Sequence, residues 1–173
     1  MNIYELIEKR RSIRSYLPKK VEEEKLKRIL NAGRLAPSGK NAQAWKFIVT
    51  RRSELKEALV EACKGQKFIA EADCIITVCV DESKVYQQHG AYMTSFMADG
   101  TIALQQMILA ATEEGLGTCW IGAFFEDKVR EVLKVPEPYR IIGLTPLGYS
   151  AVEGKERGRK ELKEVVVWET WEG

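Results

Sequence analysis

The stretch GAYMTSFMADGTIALQQMILAAT, residues 90–112, decides how this chain folds, because Asp99 is its only charged residue. A helix over this stretch would be apolar around nearly its whole circumference, so it must be covered by the core or by another subunit. The polar residues Asp99, Gln105 and Gln106 argue against a membrane span. Gly115 and Gly117 mark its end. We predict a central helix against which the other elements pack.

Helix and strand patterns flank the central helix on both sides. Before it, they predict a helix capped by Asn2 and running to about Arg11, a helix over 21–37 that Gly33 and Pro37 stop, a strand over 46–51, a helix from Ser53 to about Lys64 and a strand over 74–80. After it, they predict a helix over 126–133, a strand over 139–149 interrupted near Pro146 and a strand-type run, VVVW, over 165–168. This last run has no local partner and must pair with a sheet elsewhere. The order predicts an α+β fold.

Length and composition favour one folded domain over residues 1–173, since 173 residues are too few for two ordinary domains. The formal charge of +2 gives no global field for nucleic acid or an acidic membrane. The start of the chain, MNIYELIEKRRS, has no apolar run of the signal-peptide type. We therefore expect a cytoplasmic protein without nucleic-acid or membrane partners.

The thiols and the single imidazole, His89, do not predict a metal site. The four cysteines show no C-x-x-C spacing, so the sequence gives little support for a tetrahedral zinc site. Most cysteines of this kind are small core side chains. Cys119 alone is left open, and His89 is expected to be structural; the cysteines are Cys63, Cys74, Cys79 and Cys119.

The stretch KRRSIRSY, residues 9–16, concentrates four cations without an acid among them. One interpretation is that these cations complement the dipole at the end of the first helix and are solvated. The other starts from Arg10, Arg11 and Ser12, which supply two planar donor forks and a hydroxyl suited to a phosphate monoester. The second interpretation predicts an anion site.

A second basic cluster lies late in the chain, where Lys155, Arg157 and Arg159 alternate with glutamates. Alone, such a pattern is typical of a solvated face, although a phosphate shared with Arg10 could order it. The chain has neither G-x-x-x-x-G-K-[ST] nor G-x-G-x-x-G after a strand. A phosphate ligand would therefore be held by side chains from scattered segments, which fits FMN better than ATP.

The stretch APSGKNAQAW, residues 36–45, places three short neutral polar groups before an apolar strand. Asn41 and Gln43 each carry a donor and an acceptor, which matches the carbonyl and imide edge of a flavin or its ribityl hydroxyls. The competing interpretation is an Asx-type turn that joins a helix to a strand. The residues alone leave both interpretations open.

Four motifs in order carry a resemblance to a known family: RRSIRSY, APSGKNAQAWKF, GLGTCWIGAF after an apolar helix, and GRKELKEVV. Together they resemble the FMN-dependent nitroreductase family, over essentially the whole chain. The resemblance implies an entwined α+β homodimer with a mixed, largely antiparallel central sheet flanked by helices and with two FMN sites at the interface. That arrangement would explain the uncharged central helix and the unpaired C-terminal run.

The resemblance also implies roles for particular positions. Arg10, Arg11 and Ser12 would meet the FMN phosphate or ribityl chain, and Arg14 the pyrimidine end of the ring. The other subunit would supply the loop, and the WIGA backbone would lie against the central ring. The remaining implied residues are Pro37, Ser38, Gly39, Asn41 and Gln43 in the loop, Ile121 and Gly122 in WIGA, and Arg157 and Arg159 at the phosphate. Ala44 departs from the proline of many relatives.

The activity that the resemblance implies is hydride transfer from NAD(P)H to FMN and then, by a ping-pong mechanism, to a nitroaromatic or quinone-type acceptor. The sequence does not choose between NADH and NADPH. A specialised relative such as a reductive dehalogenase usually needs added lid segments, which the sequence lacks. The residues are also compatible with a flavin-binding or redox-sensing module without turnover, and with a phosphopeptide or nucleic-acid binder that uses the N-terminal arginines.

Overall fold

The computed structural model describes residues 1–172, which form six α-helices, four β-strands and two short 3₁₀ turns. The helices are α1 (Ile3–Lys9), α2 (Glu23–Arg34), α3 (Ser53–Ala62), α4 (Phe68–Glu71), α5 (Phe96–Glu113) and α6 (Glu126–Leu133). The strands are β1 (Trp45–Thr50), β2 (Cys74–Asp81), β3 (Gly117–Thr118) and β4 (Tyr139–Gly148). The 3₁₀ turns cover Gly39–Asn41 and Leu162–Glu164.

The four strands form one sheet in the order β1-β2-β4-β3, and every pair of neighbouring strands is antiparallel. A single parallel bridge joins Ser12 to Thr118 at the β3 edge. All eight residues of β2 are buried, as expected for a central strand. The predicted α+β fold with a largely antiparallel sheet is confirmed.

The central helix α5 lies directly on the sheet. Gly100 allows this approach, because a Cβ at that position would lie 2.9 Å from Cγ2 of Val80 and would also strike Ile142. The helix begins at Phe96, six residues later than the sequence pattern predicts. Gly90 and Ala91 adopt left-handed φ angles of 58° and 62°, so a helix cannot run through them.

Helix α2 packs against α5, and Gly33 lies inside α2 rather than stopping it. A Cβ on Gly33 would come within 2.7 Å of Cγ of Met107 on α5. The glycine therefore also has a role that the sequence did not indicate, because it permits the close approach of two helices. The helix ends one residue later, at Arg34.

Strand β4 runs without interruption through Pro146, contrary to the prediction. Leu144 exchanges both backbone hydrogen bonds with Ile121, on the side of β4 that faces away from β2. The backbone nitrogen of Pro146, two residues on, faces the same side. Strand β3 ends at Thr118, so the missing N–H removes no bond from the β2 to β4 ladder.

Two helices are shorter than predicted. Helix α1 ends at Lys9, because Arg10 adopts extended dihedrals (φ −58°, ψ 123°) and leads into the segment that bridges to Thr118. The predicted cap at Asn2 is confirmed, since its side chain accepts from the Glu5 N–H at 3.0 Å. Helix α3 ends at Ala62, and its N-cap is Arg52, not Ser53.

The C-terminal run 165–168 forms no strand within the described residues 1–172, so the pairing expected for it is not made by a single chain. Its apolar side chains are exposed, with Val165 at 59% and Trp168 at 76%, and Trp171 beyond it is 91% exposed. Helix α1 likewise buries none of its residues. No helix among residues 1–172 combines the length and apolar character needed to cross a bilayer.

The four thiols are buried and unpaired. Burial raises the pKa of Cys63 from 9.0 to about 11, and that of Cys74 and of Cys79 from 9.0 to about 12. Because each folded pKa lies above the unfolded value, the protonated thiols contribute stability that is fully present below pH 9.0 and is lost as the pH rises through 11 to 12.

We therefore expect the native protein to resist thiol reagents at neutral pH and its free energy of unfolding to fall as the pH rises above about 9. Reaction with a chromogenic disulfide reagent, with and without urea, measures the first effect, and urea titrations at several pH values measure the second. Urea should expose all four thiols. Rapid modification of Cys63 in the folded chain would contradict the burial described here.

Candidate functional site

A cavity of about 1180 Å³ lies between the end of α1 and the segment that follows β4. It brings together the two basic clusters, although about 140 residues separate them along the chain. Its acidic lining residues are Glu8, Glu153 and Glu156, and its seven cations are Lys9, Arg10, Arg11, Arg14, Lys155, Arg157 and Arg159.

The first wall is an extended segment that the β3 edge holds in place. The Ile13 N–H donates to the Thr118 carbonyl at 2.8 Å, and the Ile13 side chain is buried. The Tyr16 N–H donates to Oε2 of Glu71 at 3.2 Å. Since side chains alternate along an extended segment, burying Ile13 directs Ser12 and Arg14 to the other side, where both line the cavity.

The second wall continues from β4 alongside this segment. The Ala151 N–H donates to the Ser15 carbonyl at 3.0 Å. Gly154 then passes so close to the first wall that a Cβ there would collide with Arg11 and lie 3.0 Å from Cδ1 of Ile13. The late basic cluster therefore reaches the N-terminal arginines because residue 154 has no side chain.

Most of the cavity's positive charge lacks a carboxylate partner. Arg11 pairs with Glu156 at 3.7 Å, and Arg159 donates to the carbonyls of Arg157 and Gly158. The guanidinium carbon of Arg14 lies over the Phe68 ring, 5.9 Å from the ring centroid. Within residues 1–172, six of the seven cations make no ion pair, namely Lys9, Arg10, Arg14, Lys155, Arg157 and Arg159. Such a focus of unpaired cations attracts an anion.

The polar loop 37–43 is not part of this cavity's lining in the single chain. Its Ser38 Oγ accepts from the Gln43 N–H at 3.0 Å, which closes a local turn. Asn41 and Gln43 are exposed, and Nε2 of Gln43 donates to the Asn41 carbonyl at 3.4 Å. The serine thus provides the turn contact, and the Asn41 side chain makes no hydrogen bond among the described residues.

The WIGA segment, residues 120–123, offers backbone donors that are free within residues 1–172, at Trp120, Gly122 and Ala123. Ile121 is buried, and its N–H and carbonyl both bond to Leu144, at 2.8 and 3.2 Å. Gly122 is exposed, and its N–H makes no hydrogen bond in the part of the chain that the structure describes. A ligand at this segment would therefore meet the N–H of Trp120, Gly122 or Ala123, and not that of Ile121.

Cys119 lies near the cavity but is not activated. Burial raises the pKa of its thiol, against the opposing effects of Arg14, of a hydrogen bond from Ser12 and of Arg10. The thiol is 3% exposed, and its Sγ lies 3.9 Å from the Trp120 carbonyl. Among residues 1–172 there is also no group of three or more His, Cys, Asp or Glu side chains that could hold a metal ion.

Sequence reasoning named both basic clusters but missed what shapes the cavity. Lys9 and Lys155 line it, yet among its cations only the arginines were predicted as site residues. The close approach at Gly154 could not be read from sequence, because its partners, Arg11 and Ile13, are distant along the chain. The one available signal was the presence of a glycine inside a basic loop.

Comparison with known proteins agrees with this architecture. The model of the nitroreductase family matches residues 7–79 and 63–149. A putative NADH dehydrogenase/NAD(P)H nitroreductase of Methanothermobacter thermautotrophicus is 36% identical over 155 residues, which cover 87% of this chain and 78% of that protein. A nitroreductase family protein from Clostridium difficile 630 superposes with a TM-score of 0.90 at 34% identity, over 98% of this chain and 99% of that one. An FMN-dependent nitroreductase from Clostridium difficile R20291 superposes with a TM-score of 0.85 at 31% identity, over 98% and 100% of the two chains. The chain therefore belongs to the nitroreductase family.

Proposed function

We propose that this protein is an NAD(P)H-dependent oxidoreductase that binds FMN and passes electrons to nitroaromatic or quinone-type acceptors. The observation that carries the proposal is the cavity in which six cations lack a carboxylate partner among residues 1–172. The names of the relatives, NAD(P)H nitroreductase and FMN-dependent nitroreductase, support the same class of enzyme. An acid-rich cavity, or one whose cations were all paired, would not fit a phosphorylated cofactor.

The donor set at the cavity suits the FMN phosphate. Arg10 and Arg11 supply planar guanidinium groups, and Ser12 adds a hydroxyl beside them. Arg157 and Arg159 reach the same cavity from the second wall. In this proposal these five residues hold the phosphate, whose negative charge offsets the surplus of cations.

The ring would lie toward Arg14 and the WIGA segment. Gly122 offers a free N–H for a ring nitrogen, whereas Ile121 shapes the site through its buried side chain. The exposed amides of Asn41 and Gln43 can pair with a carbonyl and imide edge. Ser38, with Pro37 and Gly39 shaping the turn, would accompany them from the second subunit.

We propose that two chains form a homodimer that completes the site. A single chain leaves α1 unburied and exposes Val165, Trp168 and Trp171. Among residues 1–172, β1 pairs with β2 alone, so its outer edge has no partner strand in the single chain. A second copy would cover these apolar surfaces and bring its loop to the cavity.

Removal of residues 162–173 is expected to convert the dimer into monomers, because it deletes the exposed valines and tryptophans of the tail. Sedimentation velocity on the parent and truncated chains measures this directly. A truncation after residue 171, which keeps both tryptophans, is the control and should remain dimeric. A parent chain that sediments as a monomer would overturn the dimer proposal.

In this mechanism the residues of the chain would bind the cofactor, orient it and stabilise the charge of its reduced ring. FMN, when bound, supplies the two-electron chemistry that links NAD(P)H to the acceptor. Arg14 would lie near the pyrimidine end of the bound ring, where its positive charge would stabilise the negative charge that reduction brings. No acid or base residue needs to move a proton at the site, in keeping with an exposed His89 and a protonated Cys119. We expect ping-pong kinetics, because donor and acceptor would use the same face in turn.

The purified protein tests the proposal. It should be yellow, lose its colour with NADH or NADPH without oxygen, and regain it when a nitroarene or a quinone is added. A yellow protein that neither nucleotide bleaches would indicate a binding module without turnover. A colourless protein whose nucleic-acid binding falls steeply with salt would contradict the proposal altogether. The cytoplasmic location stays a prediction.

A further inference from the structure

Asp99 is the only charged residue in the stretch 90–112, which contains most of the central helix α5, and it is 3% exposed. Its two carboxylate oxygens serve different parts of the chain. Oδ1 accepts from the backbone N–H of Gly39 at 3.0 Å, and Oδ2 accepts from the Ser95 hydroxyl at 2.8 Å. Asp99 therefore joins the polar loop 37–43 to the start of α5.

The position suits a carboxylate. Asp99 lies in the first turn of α5, where the helix dipole favours negative charge. A buried carboxylate is costly unless its oxygens accept hydrogen bonds, and here both do. No ion pair to Asp99 exists among residues 1–172, so its local partners are the loop amide and the serine hydroxyl.

The loop that Asp99 holds is strained. Lys40, Asn41 and Gln43 all adopt left-handed φ angles, of 51°, 56° and 49°. Such dihedrals cost free energy in residues with side chains and persist where the surrounding structure enforces them. Inside the loop, the Gln43 N–H donates to Ser38 and the backbone bonds of the 3₁₀ turn add to it. From outside the loop, the Gly39 N–H is held by Asp99.

Gly39 is also packed too tightly for any other residue. A Cβ there would lie 2.7 Å from Cβ of Tyr86 and 2.9 Å from Oγ of Ser95. The segment before α5 is fixed in turn, because the Ser95 N–H donates to the Tyr86 carbonyl at 2.9 Å. The loop therefore rests on a rigid base, with Asp99 as its hydrogen-bond acceptor.

We propose that Asp99 is a positioning residue for flavin binding: through Gly39 it fixes the loop in the strained shape that presents the Asn41 and Gln43 amides. The inference rests on the proposed function and assigns a role to a residue outside the predicted site. Holding the amides in place before binding lowers the entropic cost of binding. Asp99 itself does not touch the ring in this proposal.

The test compares Asp99→Ala with Asp99→Asn. Asparagine keeps an oxygen for the Gly39 N–H and gives Ser95 an amide donor, whereas alanine removes the acceptor. Flavin released on dilution of the holoprotein, followed by its fluorescence, should show a dissociation constant raised about tenfold or more in Asp99→Ala. Asp99→Asn should restore binding to within about threefold of the parent, since the bond to Gly39 returns.

Ser95→Ala is the matched control, because it removes the donor at Oδ2 and leaves the Gly39 bond intact. It should bind flavin within about threefold of the parent. Holoprotein prepared with riboflavin supplies a second readout. Asp99→Ala should weaken the binding of riboflavin and of FMN by the same factor, because the loop would contact the flavin away from its phosphate.

Each outcome decides the inference. Unchanged flavin release in Asp99→Ala overturns it while leaving the proposed function intact, and so does an Asp99→Asn variant as weak as Asp99→Ala. A parent chain that binds no flavin overturns both. If Asp99→Ala does not fold, Gly39→Ala takes its place, because its Cβ would displace the loop from Tyr86 and should weaken flavin binding by a similar factor.

Discussion

Arg10→Ala is expected to raise the dissociation constant for FMN by about ten- to a hundredfold, the range for lost hydrogen bonds between charged groups. Arg10 is half-buried in the cavity wall and makes no ion pair with any residue that the structure describes. Its guanidinium is therefore free for the phosphate, and no other contact of the folded chain should be lost with it. Fluorescence titration of the apoprotein with FMN measures the change.

Arg52→Ala is the control for this prediction. Arg52 is exposed at the start of α3, makes no side-chain cap and does not line the cavity. Its loss removes the same charge from the protein as a whole but should leave the FMN dissociation constant unchanged. An Arg10→Ala variant that retains FMN as tightly as Arg52→Ala would show that Arg10 does not hold the phosphate.

Leu104→Ala is expected to lower the free energy of unfolding by about 2–5 kcal/mol, the range for a buried leucine that leaves a cavity. Leu104 is fully buried on α5, and its Cδ2 packs against the β4 backbone at Gly143. Both elements carry a glycine at this contact, Gly100 on α5 and Gly143 on β4, so the helix already packs closely on the sheet. The backbones therefore have little room to move together and fill the cavity that alanine would leave.

Urea titration of the parent and variant chains at one protein concentration measures this loss. Leu35→Ala makes the same chemical change at a residue that is 61% exposed, and should cost less than about 1 kcal/mol. An equal effect of the two substitutions would contradict the placement of α5 at the centre of the core. A change in the slope of the free energy of unfolding against urea concentration would instead indicate altered compactness of the unfolded or native state.

Residue patterns predicted the elements that local chemistry determines. The β-branched run at 74–80 predicted the buried strand β2, and the uncharged stretch predicted α5 as the central helix. In both, the side chains themselves carry the signal, because burial requires a continuous apolar surface. The basic clusters likewise predicted an anion site, and the structure brings them together in one cavity.

Sequence patterns missed the role of a residue where that role depends on a contact with a distant part of the chain. Gly33 was interpreted as a helix stop, but it also makes room for Met107. Pro146 was interpreted as a break in the strand, but its backbone nitrogen faces the side of β4 on which β3 has already ended. Ile121 matched a family motif, yet Leu144 occupies its N–H. Asp99 looked like a single charge in an apolar helix, and its bond to Gly39 appears only in three dimensions.

The most direct test of the phosphate site compares FMN with riboflavin, which differ by the phosphate alone. Apoprotein titrated with each, under identical salt, should bind FMN about a hundredfold or more tightly, because several guanidinium groups contact the phosphate. Added salt should narrow the difference, since part of it arises from exposed cations. Equal affinity for the two flavins would contradict the claim that this arginine-lined cavity holds the cofactor's phosphate.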